Sequence, residues 1–150
     1  MAQGDVTWFN AAKGKLGLAI INLETDVLKL GLVTSSVTPT ASTADPCWGA
    51  GGTTNLSSNE VTPGGNYSAG GPTVANNTFV ESGGTATLDA DNTSIAQNAS
   101  NPTNARWGVL YSDTATAKDA LAFVDLGGVT DLSSGGFSVT WNASGIMTLA

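Results

Sequence analysis

The run Val27-Leu-Lys-Leu-Gly-Leu-Val-Thr34 alternates, with Leu28, Leu30 and Leu32 on one face and Lys29 on the other. A period of two is the mark of a strand with one face against a core. The same period recurs further along. Trp107, Val109 and Tyr111 share a face in Ala105 to Ser112, and Leu121 and Phe123 oppose Ala122, Val124 and Leu126 in the next run. In Phe137-Ser-Val-Thr-Trp141 three large apolar residues face inward and two hydroxyls outward. Asn142-Ala-Ser-Gly145 then turns the chain into a last strand over Ile146 to Leu149. Weaker strands fit Thr73 to Glu81 and Thr85 to Ala90, separated by Gly83-Gly84. About eight short antiparallel strands with turn signals between them predict an all-β fold, a jelly-roll-like sandwich or barrel.

Two stretches break this rhythm. Over Asn10 to Ile21 a helix would place Leu16, Ala19, Ile20 and Leu23 on one face, but Gly14 and Gly17 each cost it about 1 kcal/mol relative to alanine. Residues 1–22 are therefore expected to form an N-terminal arm or strand. From residue 35 to 72 the chain is dominated by Gly, Thr, Ser, Asn and Pro, with Trp48, Leu56, Val61 and Tyr67 as its sizeable apolar anchors. Structureless loops beyond about 15 residues are uncommon in compact domains and are often functional. Two readings stand for this one: a partly ordered connection with a short strand near Asn59 to Val61, or a contact loop pinned by Trp48 and Tyr67 against a neighbouring subunit.

Length and composition narrow the class. The 150 residues suit a single domain over 1–150, large enough to bury a core without disulfide or metal. Net charge is −7, with five basic residues, Lys13, Lys15, Lys29, Arg106 and Lys118, which argues against nucleic acid or an anionic membrane as partner. The most apolar run, Leu16 to Leu23, is far shorter than the roughly 20 residues of a membrane span. The polar N-terminus lacks a basic patch leading into a hydrophobic signal core, so synthesis in a cytoplasm is expected. One cysteine, Cys47, permits no internal disulfide, in keeping with that compartment. Asn-x-Ser/Thr triplets at Asn55, Asn66, Asn76, Asn92, Asn98 and Asn142 are what so much Asn, Ser and Thr produces by chance.

Candidate chemistry is sparse. There is no histidine, the usual titrating group near neutral pH, so a Ser-His-Asp triad is not available and Cys47 has no histidine to activate it. Cys47 is expected as a half-buried small residue. Asp89-Ala-Asp-Asn92 lacks the ligand progression and final glutamate of a calcium loop and reads as a turn. Glu24 and Asp26 read as a solvated turn with no partner across a cleft. Trp48-Gly-Ala-Gly-Gly52 lacks the lysine and strand-to-helix context of a phosphate loop. No catalytic residue, cofactor or metal ligand is expected, and the chain reads as a structural or interaction protein. Trp8 and Phe9, ahead of Lys13 and Lys15, either close one end of the sandwich or anchor the arm to a partner.

The order of segments resembles that of small structural proteins of tailed bacteriophages. The likeness is carried by Thr7-Trp-Phe-Asn10 and the lysine-bearing segment after it, then by Leu23 to Pro39 and Tyr67-Ser-Ala-Gly-Gly71. It continues through Ala105 to Thr114, Ala122-Phe-Val-Asp-Leu-Gly127 and Phe137 to Leu149. Cys47-Trp48 and the glycine-rich 50–55 depart from the pattern. The resemblance implies a virion component, a capsid decoration or cement protein with a jelly-roll-like fold. Such a protein would bind the outside of the major capsid protein shell and bridge neighbouring capsomers, as a homo-oligomer such as a dimer or trimer. Trp8, Phe9, Lys13, Lys15, Trp48 and Tyr67 would then supply partner contacts. A neck, tail or fibre protein is the nearest alternative. A carbohydrate-binding sandwich, with Trp48 or Tyr67 as stacking platforms, is a second.

Overall fold

The fold is that of a computed structural model, which describes residues 2–149. In chain order its elements are β1 (Val6–Trp8), α1 (Asn10–Gly17), β2 (Leu28–Val33), β3 (Pro46–Cys47), β4 (Thr54–Asn55) and β5 (Thr73–Val74). There follow β6 (Thr78–Ser82), β7 (Thr85–Asp89), β8 (Thr93–Ile95), β9 (Ala105–Ser112), β10 (Ala120–Thr130), β11 (Phe137–Val139) and β12 (Met147–Leu149). The all-β class expected from the alternating runs is the class observed. Among the described residues there are twelve strands, and three of them, β3, β4 and β5, are two-residue pairings too short to leave a period in the sequence.

The body is built on a five-stranded antiparallel sheet in the order β1-β10-β9-β2-β5. Its register sets Leu28 opposite Ser112, Leu30 opposite Leu110 and Leu32 opposite Gly108, so the three leucines share a face. Lys29, Gly31 and Val33 face the other way, opposite Tyr111, Val109 and Trp107. Both faces of β2 are covered: Leu28, Leu30, Leu32 and Val33 are each fully buried. A sheet β12-β7-β6 and a ribbon β11-β8 complete the antiparallel part, and β3-β4 is a short parallel pair. Phe137, Val139 and Trp141 are buried while Ser138 and Thr140 are exposed, the alternation predicted for that run.

Residues 2–22 are not a free arm. β1 pairs with β10, Val6 to Val124 and Trp8 to Ala122, and the Phe9 N–H donates to Leu121 O at 2.9 Å. α1 forms despite its two glycines because tertiary packing outweighs propensity. Ala12 and Phe9 are fully buried, and the Phe9 ring lies 5.1 Å from that of Phe123. The helix stops at Gly17, where Ala19 takes a positive φ of 54°. Ile20, on the apolar face that a longer helix would have made, is left 48% exposed, and Leu18 beside it in the chain is 74% exposed.

The long segment 35–72 is folded onto the body and finishes the sheet. The β2 edge that faces away from β9 is covered along its length by backbone and side-chain partners. β5 pairs with Leu28 and Lys29, Pro72 O accepts from Leu30 N at 3.0 Å, and Val61 N donates to Leu32 O at 3.0 Å. Tyr67 Oη accepts from Leu32 N at 2.9 Å and donates to Glu60 Oε1 at 2.9 Å. Glu60 Oε1 also accepts from Gly70 N at 2.6 Å. Covering an edge removes a template for pairing with another chain. Gly71 is required at this closure: with φ at +78°, a Cβ there would lie 2.0 Å from Leu30 O.

Candidate interaction surface

Of the six residues expected to meet a partner, four are committed to the protein's own interior. Phe9, Trp48 and Tyr67 are buried, at 0%, 6% and 1% exposure. Trp48 stacks on Tyr111 with ring centroids 5.0 Å apart and planes 7° from parallel, above Gly31. The expected contact loop is thus pinned by Trp48 and Tyr67 to its own sheet, for the physical reason that the edge of β2 needs covering. The fourth, Lys15, is held by carboxylates from two other segments. Trp8 is half-buried against the core. Lys13 alone is exposed, two residues from Lys15 and so on a different side of α1.

Lys15 sits where three segments meet. From α1 its ammonium donates to Asp45, in the turn that leads to β3, and to Asp119, just before β10. The two segments are also tied by an antiparallel bridge between Cys47 and Asp119 and by Trp48 N donating to Lys118 O at 2.8 Å. Burial acts to lower the Lys15 pKa, but hydrogen bonds from the amine to Asp119 and Asp45 outweigh it and hold the pKa above the usual lysine value. The hydrogen bond from Lys15 holds Asp45 below the usual carboxylate range. Cys47, expected half-buried, is fully buried; its Sγ donates to Gly49 O at 2.8 Å and accepts from Gly52 N at 3.1 Å. Asp26, expected in a solvated turn, is also buried, accepting from Ser112 Oγ at 2.7 Å.

The remaining ion pairs are Lys29 and Lys118 on Asp113, and Arg106 on Asp125 at 2.6 Å. Among the described residues, Lys13 is the one cation with no carboxylate partner. It stands at the rim of an open groove of about 460 Å³ lined by Leu16, Ile21, Leu23, Phe79 and Leu149. The groove runs between the end of α1 and the sheet β12-β7-β6. Register places Phe79, Leu88 and Met147 in one row across that sheet, with Glu81, Ala86 and Leu149 as the next row on the same face. The first row is buried or half-buried, whereas Leu149 is 40% exposed. Leu18 and Ile20 alternate along the chain with the lining residues Gly17, Ala19 and Ile21, and with Leu149 they are three of the six large exposed apolar residues of the described chain. The others, Val27, Val80 and Val129, lie elsewhere along the chain, as isolated surface residues commonly do. The segment 16–23 did stand out in the sequence, as the most apolar run. Its pairing with Leu149 and Phe79 depends on tertiary contacts that leave no local pattern.

The ionisable groups predict a flat stability profile across neutral pH. A hydrogen bond from Lys118 holds Asp113 below the usual carboxylate range, one from Arg106 does so for Asp125, and Ser133 does so for Asp131. Their contribution is present above the ordinary value of 3.8 and is lost as pH falls below it, when they are forced to protonate. Burial pushes the Tyr67 and Tyr111 hydroxyls up from 10.0, with the charge of Glu60 adding to the first and Asp113 to the second. Above pH 10.0 the unfolded chain ionises these phenols and the folded one does not, so stability falls again. Urea midpoints measured between about pH 5 and 9 are expected to coincide, with losses only outside that window. A step between about pH 6 and 8 would contradict the assignment.

Comparison with known protein families, curated proteins and solved structures finds no match.

Proposed function

We propose that this chain is a capsid decoration, or cement, protein of a tailed bacteriophage. In this reading it binds the outer surface of the major capsid protein shell and bridges neighbouring capsomers, and its action is mechanical. The observation that carries the reading is the apolar groove lined by Leu16, Ile21, Leu23, Phe79 and Leu149 with Lys13 at its rim, beside a segment that exposes Leu18 and Ile20, on an otherwise acidic body. It is supported by the colinear segments that resemble phage virion proteins. Many copies, each held by a modest contact, would resist rupture of the shell through multivalency. The carbohydrate-binding alternative loses its platforms, since Trp48 and Tyr67 are buried in the body rather than presented to a sugar.

The groove side replaces the N-terminal arm as the expected contact. Leu18→Glu with Ile20→Glu alters two exposed side chains and is expected to leave folding stability within about 0.5 kcal/mol per site. Co-sedimentation of this variant with expanded shells of the phage that encodes the chain is expected to show at least tenfold weaker binding, about 1.4 kcal/mol. Binding equal to wild type would remove the exposed segment around Leu18 and Ile20 from the proposed contact.

A further inference from the structure

The Lys15 node carries a chemical inference independent of the proposed function. Asp119 is 1% exposed at its side chain, and while Oδ1 receives Lys15, Oδ2 is buried with no hydrogen-bond partner. A buried carboxylate oxygen without a donor is costly, and so is a desolvated ion pair. A neutral amide would remove the ion pair and leave Oδ2 as an uncharged carbonyl oxygen, for which a missing donor costs less than for a carboxylate. Asp45, whose side chain is 42% exposed, touches the same ammonium and connects it to solvent. Its position is fixed by its backbone: Asp45 O accepts from Thr53 N at 3.1 Å, and a Cβ on Gly52 would come within 2.5 Å of that oxygen.

We propose that Lys15 and Asp119 condense to an intramolecular amide, with Asp45 as the proton carrier. Asp45 takes one proton from the Lys15 ammonium, freeing the Nζ lone pair to attack Cγ of Asp119. The N–C bond forms as Cγ becomes tetrahedral. Asp45 then returns its proton to Oδ1, which also takes a second proton from nitrogen and departs as water. Of the three ammonium protons, one remains on the amide nitrogen and two leave with Oδ1; the charges of +1 and −1 cancel. Oδ2 stays as the amide carbonyl oxygen. Because both carboxylates favour the ammonium, proton transfer to Asp45 limits the rate, and the reaction runs once per molecule. Groups held in contact react with effective molarities of about 10⁵–10⁸ M, which offsets that slow first step. The link would join residues 104 apart in a chain whose single cysteine allows no internal disulfide, and would fasten α1 to the β9–β10 connection.

Intact mass spectrometry of the purified full chain under denaturing conditions tests this directly. The expected mass is about 18 Da below that of the sequence, one water lost, with a digest yielding a branched peptide that joins Lys15 to Asp119. Lys15→Arg keeps a cation for both carboxylates and is expected at its full sequence mass; Asp45→Ala is expected to retain most molecules at full mass. Wild-type protein at full sequence mass would overturn the proposal. So would a deficit that persists in Lys15→Arg, or a branch mapped to Asp45.

Discussion

Replacing Phe9 with alanine is expected to destabilise the fold by about 3–5 kcal/mol, the range for truncating a buried aromatic. The ring has no exposed surface, packs 5.1 Å from Phe123, and sits where the chain passes from β1 into α1. Helix α1 has no side-chain N-cap, one glycine inside it and one at its end, so it depends on tertiary contacts: the Lys15 node and the burial of Phe9 and Ala12. With a urea slope of about 1–3 kcal/mol/M, the midpoint is expected to fall by about 1 M or more. An unchanged midpoint would mean that residue 9 belongs to a detached arm after all. Deletion of residues 1–10 is expected to be still more damaging, since it also removes β1.

Trp48→Ala is expected to cost a similar amount, about 3–5 kcal/mol. The indole lies flat on Tyr111 and fills the space above Gly31, where a Cβ would come within 2.2 Å of the ring. This pairing gives a sharper test than the single substitution. Gly31→Ala alone is expected to destabilise by about 1–3 kcal/mol through overpacking. In the Trp48→Ala background the same change is expected to cost much less, because the ring it strikes is gone. A double-mutant cycle in urea would read that coupling. Additive effects would show that Trp48 does not seat on Gly31.

These two aromatics mark where the sequence was and was not legible. Strand β2 could be read directly, because Leu28, Leu30 and Leu32 repeat every two residues and their shared face is a property of the strand alone. The same holds for Trp107, Val109 and Tyr111, and for Phe137 to Trp141. Helix α1 was not legible, since its glycines speak against it and its stability comes from a partner, Phe123, more than a hundred residues away. Nor was the role of segment 35–72. Tyr67 and Glu60 cover the edge of β2 through three hydrogen bonds whose spacing follows no local period. The large aromatics in a polar stretch could be recognised as anchors, but the surface they anchor to is set by tertiary structure. Lys15 could be noted as one of few cations, whereas its meeting with Asp45 and Asp119 required the fold.

That relocation of the anchors also moves the candidate contact surface. Residues read as reaching outward turn inward, and exposed apolar side chains appear instead at Leu18, Ile20 and Leu149, where the helix ends early and β12 extends past the core. A rigid body with its principal sheet edge covered and one apolar side suits a subunit that sits on a lattice without pairing its strands with neighbours.

The most direct test of the proposed function is the copy number and position of this chain in purified particles of the phage that encodes it. Gel densitometry against the major capsid protein, together with an image reconstruction, supplies both. The proposal predicts many copies, one set at each equivalent symmetry position on the outer shell, with the Leu18–Leu149 side against the capsomers. A few copies confined to the neck, tail or fibres, or none in the particle, would contradict it.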